Sequence, residues 1–334
     1  TSRHNCFKPE TEDFETNKIN CKRNIFEYFK NSDYITGCYS GNDRFNPFYN
    51  NIEGVDIHRY CKDYNALNIT ENIISHLEFF KETSNFIIGH ILDGHHLLGK
   101  VKPLDLARFD GDKNLYFENF VPSEKKNKGF LKTAHKVWYD YYKDYKLNLY
   151  NYADSKLNNL YEYLNSRKYD DLTVLLIGDH GTRFNENKNY QKLLNPEINQ
   201  IGFFIKQNNN QLLNKNKNIS IIDIYPSLVS KYKNQTIINN SDFDGSNILF
   251  SKKERQINIS ESLYKNKFTL MAKYKKFIYL LNYNMNEKKY LSHKEEFFLN
   301  ENMKDIKGHI KKNNIIYKLL KKTCSEHIKR NFKN

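Results

Sequence analysis

Leu172 to Arg183, LTVLLIGDHGTR, is the stretch whose reading decides the fold. Thr173 to Ile177 is a short, β-branched apolar run, the pattern of a strand buried on both faces. It runs into Gly178, Asp179, His180 and Gly181. A carboxylate and an imidazole at the carboxyl end of a buried strand stand where open α/β sheets place their chemistry. The glycines let the backbone turn sharply beside a ligand. Adjacent oxygen and nitrogen donors suit a divalent metal, so Asp179 and His180 are candidate ligands.

Outward from this stretch, strands alternate with helices. Asn24–Lys30 (NIFEYFK) has a short amphipathic pattern, and Asp33-Tyr-Ile-Thr-Gly is a turn into a strand. Ile73, Ile74, Leu77 and Phe80 mark a helix within residues 69–81. Asn85–Leu92 (NFIIGHIL) is a second strand, ending in Asp93-Gly94-His95-His96. His90, inside it, reads as a core or helix-facing histidine. A long helix is expected over 133–166, with Leu147, Tyr150, Asp154, Leu157, Tyr161 and Leu164 near one face. Residues 198–205 form another strand, and Pro226 sits early in a helix, where it is tolerated. The alternation predicts a mostly parallel, doubly wound sheet. From about residue 252 the pattern changes to short alternating strands without crossover helices, the mark of a small antiparallel subdomain.

The chain has 334 residues, enough for a sizeable core, and 25 Tyr and 23 Phe exclude a disordered composition. No apolar run approaches the ~18 residues of a membrane span, and Thr1 to Cys6 has no signal-peptide pattern. The formal charge is +14. Its lysines are scattered and no nucleic-acid motif accompanies them, so the charge reads as a compositional bias and no nucleic-acid partner is expected. Four of the five cysteines, Cys6, Cys21, Cys38 and Cys61, fall early, which suits local disulfides in an oxidising compartment. With sequons at Asn68, Asn218, Asn234, Asn239 and Asn258, this leans toward the secretory pathway, extracellular or membrane-associated.

The order of these features resembles the sulfatase branch of the alkaline phosphatase superfamily. Gly178-Asp179-His180-Gly181 follows a hydrophobic strand and a long helix bearing Asp154. Residues 24–37 resemble the helix and "GY-x-T" stretch of that branch, and Phe86–Leu97 its strand ending in a substrate-facing His. Ile222–Leu228 (IDIYPSL) resembles its "D-x-x-P-T-L" helix start, and Asp244-Gly245-Ser246 the "DG-x-S" turn. Tyr274–Tyr279 and Glu287–Leu291 resemble two late strands. The early cysteines and "DHG-x-RF" are most similar to an uncharacterised sulfatase-like family of animals.

The resemblance implies a three-layer α/β sandwich over residues 1–250, an antiparallel subdomain over 251–305 and a basic helical tail over 306–334. It implies a metal-dependent hydrolase or transferase acting on phosphate or sulfate esters. Asp179 and His180 would hold calcium, zinc or manganese. His96, with His95 beside it, would protonate the leaving oxygen, and Arg183 with Lys188 or Lys192 would grip the anionic group. The strand that brings the upstream metal-binding acid and the Ser, Thr or Cys nucleophile in that branch is not recognisable, and Ser2 lacks a strand before it. An inactive, binding member of the same fold is the alternative.

Overall fold

The computed structural model describes residues 24–40, 53–60, 66–91, 151–167, 169, 171–179, 194, 201–207, 218–233, 245–250, 254–264, 267–286, 289–299, 304–305 and 314–331. The chain forms two compact units, one over Glu15–Asp170 and the other containing Asp171–Asn334.

In the first unit, helix α1 (Ile25–Lys30) begins at Asn24. The Asn24 carboxamide oxygen accepts from the Phe26 and Glu27 amides, and the Glu27 carboxylate accepts from the Asn24 amide at 2.7 Å. This capping box satisfies donors that a six-residue helix leaves over, a gain of about 1 kcal/mol. Asp33 takes a left-handed φ of 61° at the turn into strand β1 (Ile35–Ser40). Strands β2 (Ile57–Tyr60) and β3 (Asn85–His90) flank β1, both parallel to it.

The two faces of this sheet are filled differently. Phe26 and Phe29 of α1 pack on Phe86, the latter stacked at 4.1 Å. On the other face, Ile69 and Ile73 of helix α2 (Ala66–Phe79) pack with Tyr39, Ile57, Ile87 and Ile91. Helices on both faces of a parallel sheet are the α/β arrangement expected from the alternating pattern. Between α1 and β2, Gly54 has a φ of 85°, and a Cβ there would stand 2.4 Å from the Glu27 amide nitrogen. The chain can pass so close only as glycine. Asp56 then accepts from the Thr36 amide at 3.0 Å and pairs with Lys30 at 2.6 Å.

Residues 151–166 form helix α3. Tyr152, Ala153 and Leu164 are its buried positions, whereas Tyr161 is 52% exposed and Asp154 is exposed. The buried stripe is therefore rotated from the face expected. Tyr and Leu occur all around this helix, so periodicity alone does not set its phase.

In the second unit, strand β4 (Thr173–Ile177) pairs with β5 (Phe203–Gln207) in antiparallel register, so this pair adds no parallel strand. β4 is half-buried rather than buried on both faces: Leu176 is 44% exposed, and its register partner Phe204 69%. A 3₁₀ turn (Ile221–Asp223) leads into helix α4 (Ile224–Lys233), with Pro226 in the first turn as expected.

The C-terminal strands β6 (Asn258–Tyr264), β7 (Lys267–Tyr274), β8 (Phe277–Asn286), β9 (Lys289–Leu299) and β10 (Lys304–Asp305) make one antiparallel sheet in the order β10-β9-β8-β7-β6. Alternation gives it two apolar faces. Phe268, Leu270, Ala272, Tyr279, Leu281 and Phe297 share one cluster with Leu320 and Cys324 of helix α5 (Ile315–Asn331). Met271, Ile278, Leu280 and Phe298 face the other way, with Leu194. Each such fully buried side chain contributes about 1.5–3 kcal/mol. Helix α5 is thus built into the subdomain by Leu320 and Cys324. Among the described residues no helix is long and apolar enough to cross a membrane.

Candidate active-site residues

Strand β4 leads through Gly178 to Asp179. The Gly178 amide donates to the Gly202 carbonyl at 3.0 Å, which holds the backbone one residue past Ile177. Asp179 comes next and is exposed. A carboxylate released at the carboxyl end of a strand, with its last backbone neighbour held, is presented from a rigid base.

The other end of β4 is fastened to α4. The Lys231 ammonium donates to Thr173 Oγ1 at 2.8 Å and pairs with Asp171 at 3.0 Å, and the Tyr232 hydroxyl also donates to Thr173. Helix α4 is anchored in turn by Asp223. Its Oδ2 accepts from the Ser220 amide at 2.8 Å and Arg255 Nε at 2.9 Å, and its Oδ1 from the Ser246 amide at 2.8 Å. The segments similar to "D-x-x-P-T-L" and "DG-x-S" are therefore one framework whose carboxylate is consumed by structure. Arg255 had no signal in sequence, since an arginine in a basic chain marks nothing until its partner is known.

Of the residues singled out for chemistry, Asp179 is the one that is described. His95, His96, His180, Arg183, Lys188 and Lys192 lie outside the described residues. Among the described residues no group of three acidic, histidine or cysteine side chains gathers for a metal. Asp179 itself fits a cation: it is a hard oxygen donor, exposed, beyond the end of a strand.

His90 lies on the face of the sheet away from α2 and is half-buried. Tyr39, Ile57 and Ile87 face α2, whereas His90 belongs to the alternate row. Its Nδ1 is 3.5 Å from Ser40 Oγ. The histidine that does face α2 is α2's own His76. Its Nδ1 accepts from the Tyr39 hydroxyl at 2.7 Å and its Nε2 donates to Asn85 Oδ1 at 2.9 Å. That tautomer follows from Asn85, whose amide nitrogen already donates to the Phe80 and Thr83 carbonyls. Burial lowers the His76 imidazole below its ordinary value and keeps it neutral.

Two sequons are built into the fold. Asn218 Nδ2 donates to the Arg255 carbonyl at 2.5 Å, and Asn258 Nδ2 donates to Asn218 Oδ1 at 2.6 Å. These bonds bridge the approach to α4 and β6.

A family model described as Sulfatase matches residues 3–231. Among solved structures, the chain is similar to yidJ of Bacteroides fragilis, a candidate sulfatase, with a TM-score of 0.65 and 12% identity over 95% of this chain and 78% of that one. It is also similar to a protein of Bacteroides thetaiotaomicron described with the metabolism of multiple glycosaminoglycans, with a TM-score of 0.55 and 14% identity over 89% of this chain and 74% of that one. At such identities the fold is what is shared. A search of curated proteins finds no match.

Proposed function

Because the chain belongs to the sulfatase family, we propose that it is a metal-dependent hydrolase of sulfate esters, with Asp179 and His180 as the downstream metal ligands. The observation that carries this reading is the exposed Asp179 carboxylate at the carboxyl end of β4, inside the Asp-His-Gly segment. A divalent cation held there would neutralise charge developing on the sulfate oxygens. Phosphate monoesters are the second substrate class to test, since the same charge and shape would fit.

The remaining roles are those that the resemblance to sulfatases implies. His96 donates a proton to the leaving alcohol oxygen, with His95 adjacent. The Arg183 guanidinium offers two parallel N–H groups to two sulfate oxygens. Lys188 or Lys192 adds a point charge. The sequons at Asn234 and Asn239 support passage through the secretory pathway.

The deciding experiment is turnover of p-nitrophenyl sulfate and p-nitrophenyl phosphate by the full-length protein, with calcium, zinc or manganese supplied in turn. Sulfate hydrolysis that a chelator removes and one cation restores is the expected result. Turnover of phosphate alone sinks the sulfate assignment, and no turnover of either sinks the enzyme.

A further inference from the structure

We propose that the outer face of helix α5 docks the protein onto a bilayer surface that carries anionic headgroups. The face belongs to one element of the C-terminal subdomain, and the proposal stands apart from the ester chemistry.

The rotation of α5 is fixed along its length. Asn314 caps the start, its carboxamide oxygen accepting from the Ile316 amide at 2.8 Å and the Tyr317 amide at 3.2 Å. A capped first turn is wound rather than frayed. Leu320 and Cys324 are fully buried in the core cluster, and His327 Nε2 lies 3.2 Å from a Glu261 oxygen. One side of the helix is therefore committed to the sheet. At about 100° per residue, Ile315, Leu319, Lys322, Glu326 and Lys329 fall on the opposite side within an arc of roughly 80°, with Lys318 at its border. All six are exposed.

Two of the six are aliphatic. Ile315 is 82% exposed and Leu319 42%. Ile316, one residue on, packs on the core cluster, so Ile315 is turned from it. Ile315 and Leu319 stand one turn apart and adjoin on the helix surface. The charge around them is of one sign. Helix α5 carries Lys318, Lys321, Lys322, Lys329 and Arg330 against Glu326 alone. Lys321 pairs with Glu295 at 2.7 Å and Lys322 with Glu326 at 3.7 Å. Lys318 and Lys329 add positive charge to the outer face.

This combination selects the partner. Ile315 and Leu319 enter the boundary between headgroups and acyl chains, while the lysines lay their apolar stems along it and reach the phosphates. From Ile315 to Lys329 the face runs roughly 21 Å along the helix axis, so the helix lies flat on the surface. The opposite side stays in the core, and docking needs no unfolding. Other partners use half of these groups. A sulfated glycan or a nucleic acid would engage the lysines and leave Ile315 and Leu319 in water. A second copy of the chain would set its own lysines against these.

Co-sedimentation of the full-length protein with phosphatidylcholine vesicles, alone or with about 30% phosphatidylserine, tests the docking. The wild-type protein should pellet with the anionic vesicles only, and less as salt rises. Ile315→Ser with Leu319→Ser, and separately Lys318→Gln with Lys322→Gln, should each weaken binding about tenfold. Lys81→Gln with Lys276→Gln makes the same change of charge at exposed positions outside α5, and should alter binding less than about twofold. The substituted residues are exposed, so unchanged urea midpoints separate lost docking from lost folding. No pelleting of the wild-type protein, equal pelleting with neutral vesicles, or an equal loss in the Lys81 and Lys276 variant overturns the proposal. Vesicle binding that survives the loss of Ile315 and Leu319 also overturns it, in favour of a polyanion site that heparin retention would identify. A lipid-free dimer that the same two substitutions dissociate overturns it in favour of a second copy.

Discussion

Asp223 and Arg255 form a buried ion pair that joins the start of α4 to the segment leading into β6. The carboxylate is 1% exposed, and the Ser220 and Ser246 amides take up its remaining oxygen valences. Removing the guanidinium would leave a desolvated charge with only neutral partners. Arg255→Ala should therefore cost about 3–5 kcal/mol, read as a lowered midpoint in urea denaturation. A loss under about 1 kcal/mol would mean that the pair is solvated in the folded protein.

The same framework sets a steric test. A Cβ on Gly245 would stand 1.8 Å from the Ile222 carbonyl oxygen, whereas a Cβ on Gly202 would meet nothing within 4 Å. Gly245→Ala forces the backbone apart and should destabilise by about 2–3 kcal/mol. Gly202→Ala should stay within about 0.5 kcal/mol of wild type. Paired thermal melts decide, and equal effects would refute the close approach.

His76 predicts a direction with pH. Its neutral ring is held between Tyr39 and Asn85, and burial lowers its folded pKa. Above pH ~6.5 both folded and unfolded chains keep it neutral, and its contribution is complete. As pH falls below that value the unfolded chain takes a proton that the folded chain refuses. Stability then declines until the folded pKa is reached. Melting temperatures from pH 7.5 to 5 should fall less steeply for His76→Gln than for wild type, and parallel curves would exclude the imidazole as the cause.

Asp179 should separate activity from stability. It is exposed beyond β4, so Asp179→Ala should unfold within about 0.5 kcal/mol of wild type. Hydrolysis of p-nitrophenyl sulfate should drop by about a thousandfold or more, with loss of bound metal by elemental analysis. Full activity in this variant would remove Asp179 from the site.

Cys324 is fully buried in the C-terminal core, where burial pushes its thiol up to about 12. At pH 8 it should resist iodoacetamide in the folded protein and react freely in urea, at least about a hundredfold faster. Fast native labelling would place helix α5 off the sheet.

The local elements were legible in sequence because their causes are local. The amphipathic pattern over residues 24–30 announces α1, β-branched alternation announces the strands, and Pro226 marks the first turn of α4. The Asp-His-Gly segment stood out for the same reason, since a glycine-flanked acid after an apolar run has few other uses. The phase of α3 was not legible, because Tyr and Leu surround that helix.

Sequence alone thus determined the α/β class, the antiparallel C-terminal strands and the position of Asp179 just past the end of β4. Each follows from periods and spacings that a linear chain carries. Tertiary structure decided which polar residues meet. Asp223 and Arg255 are 32 positions apart, and Ser40 and His90 are 50 apart. Such pairs arise from strand register and chain crossings, which no run of neighbouring residues encodes. Register is also what places His90 in the row with Ser40 rather than the row with Tyr39, because one step along a strand reverses the face.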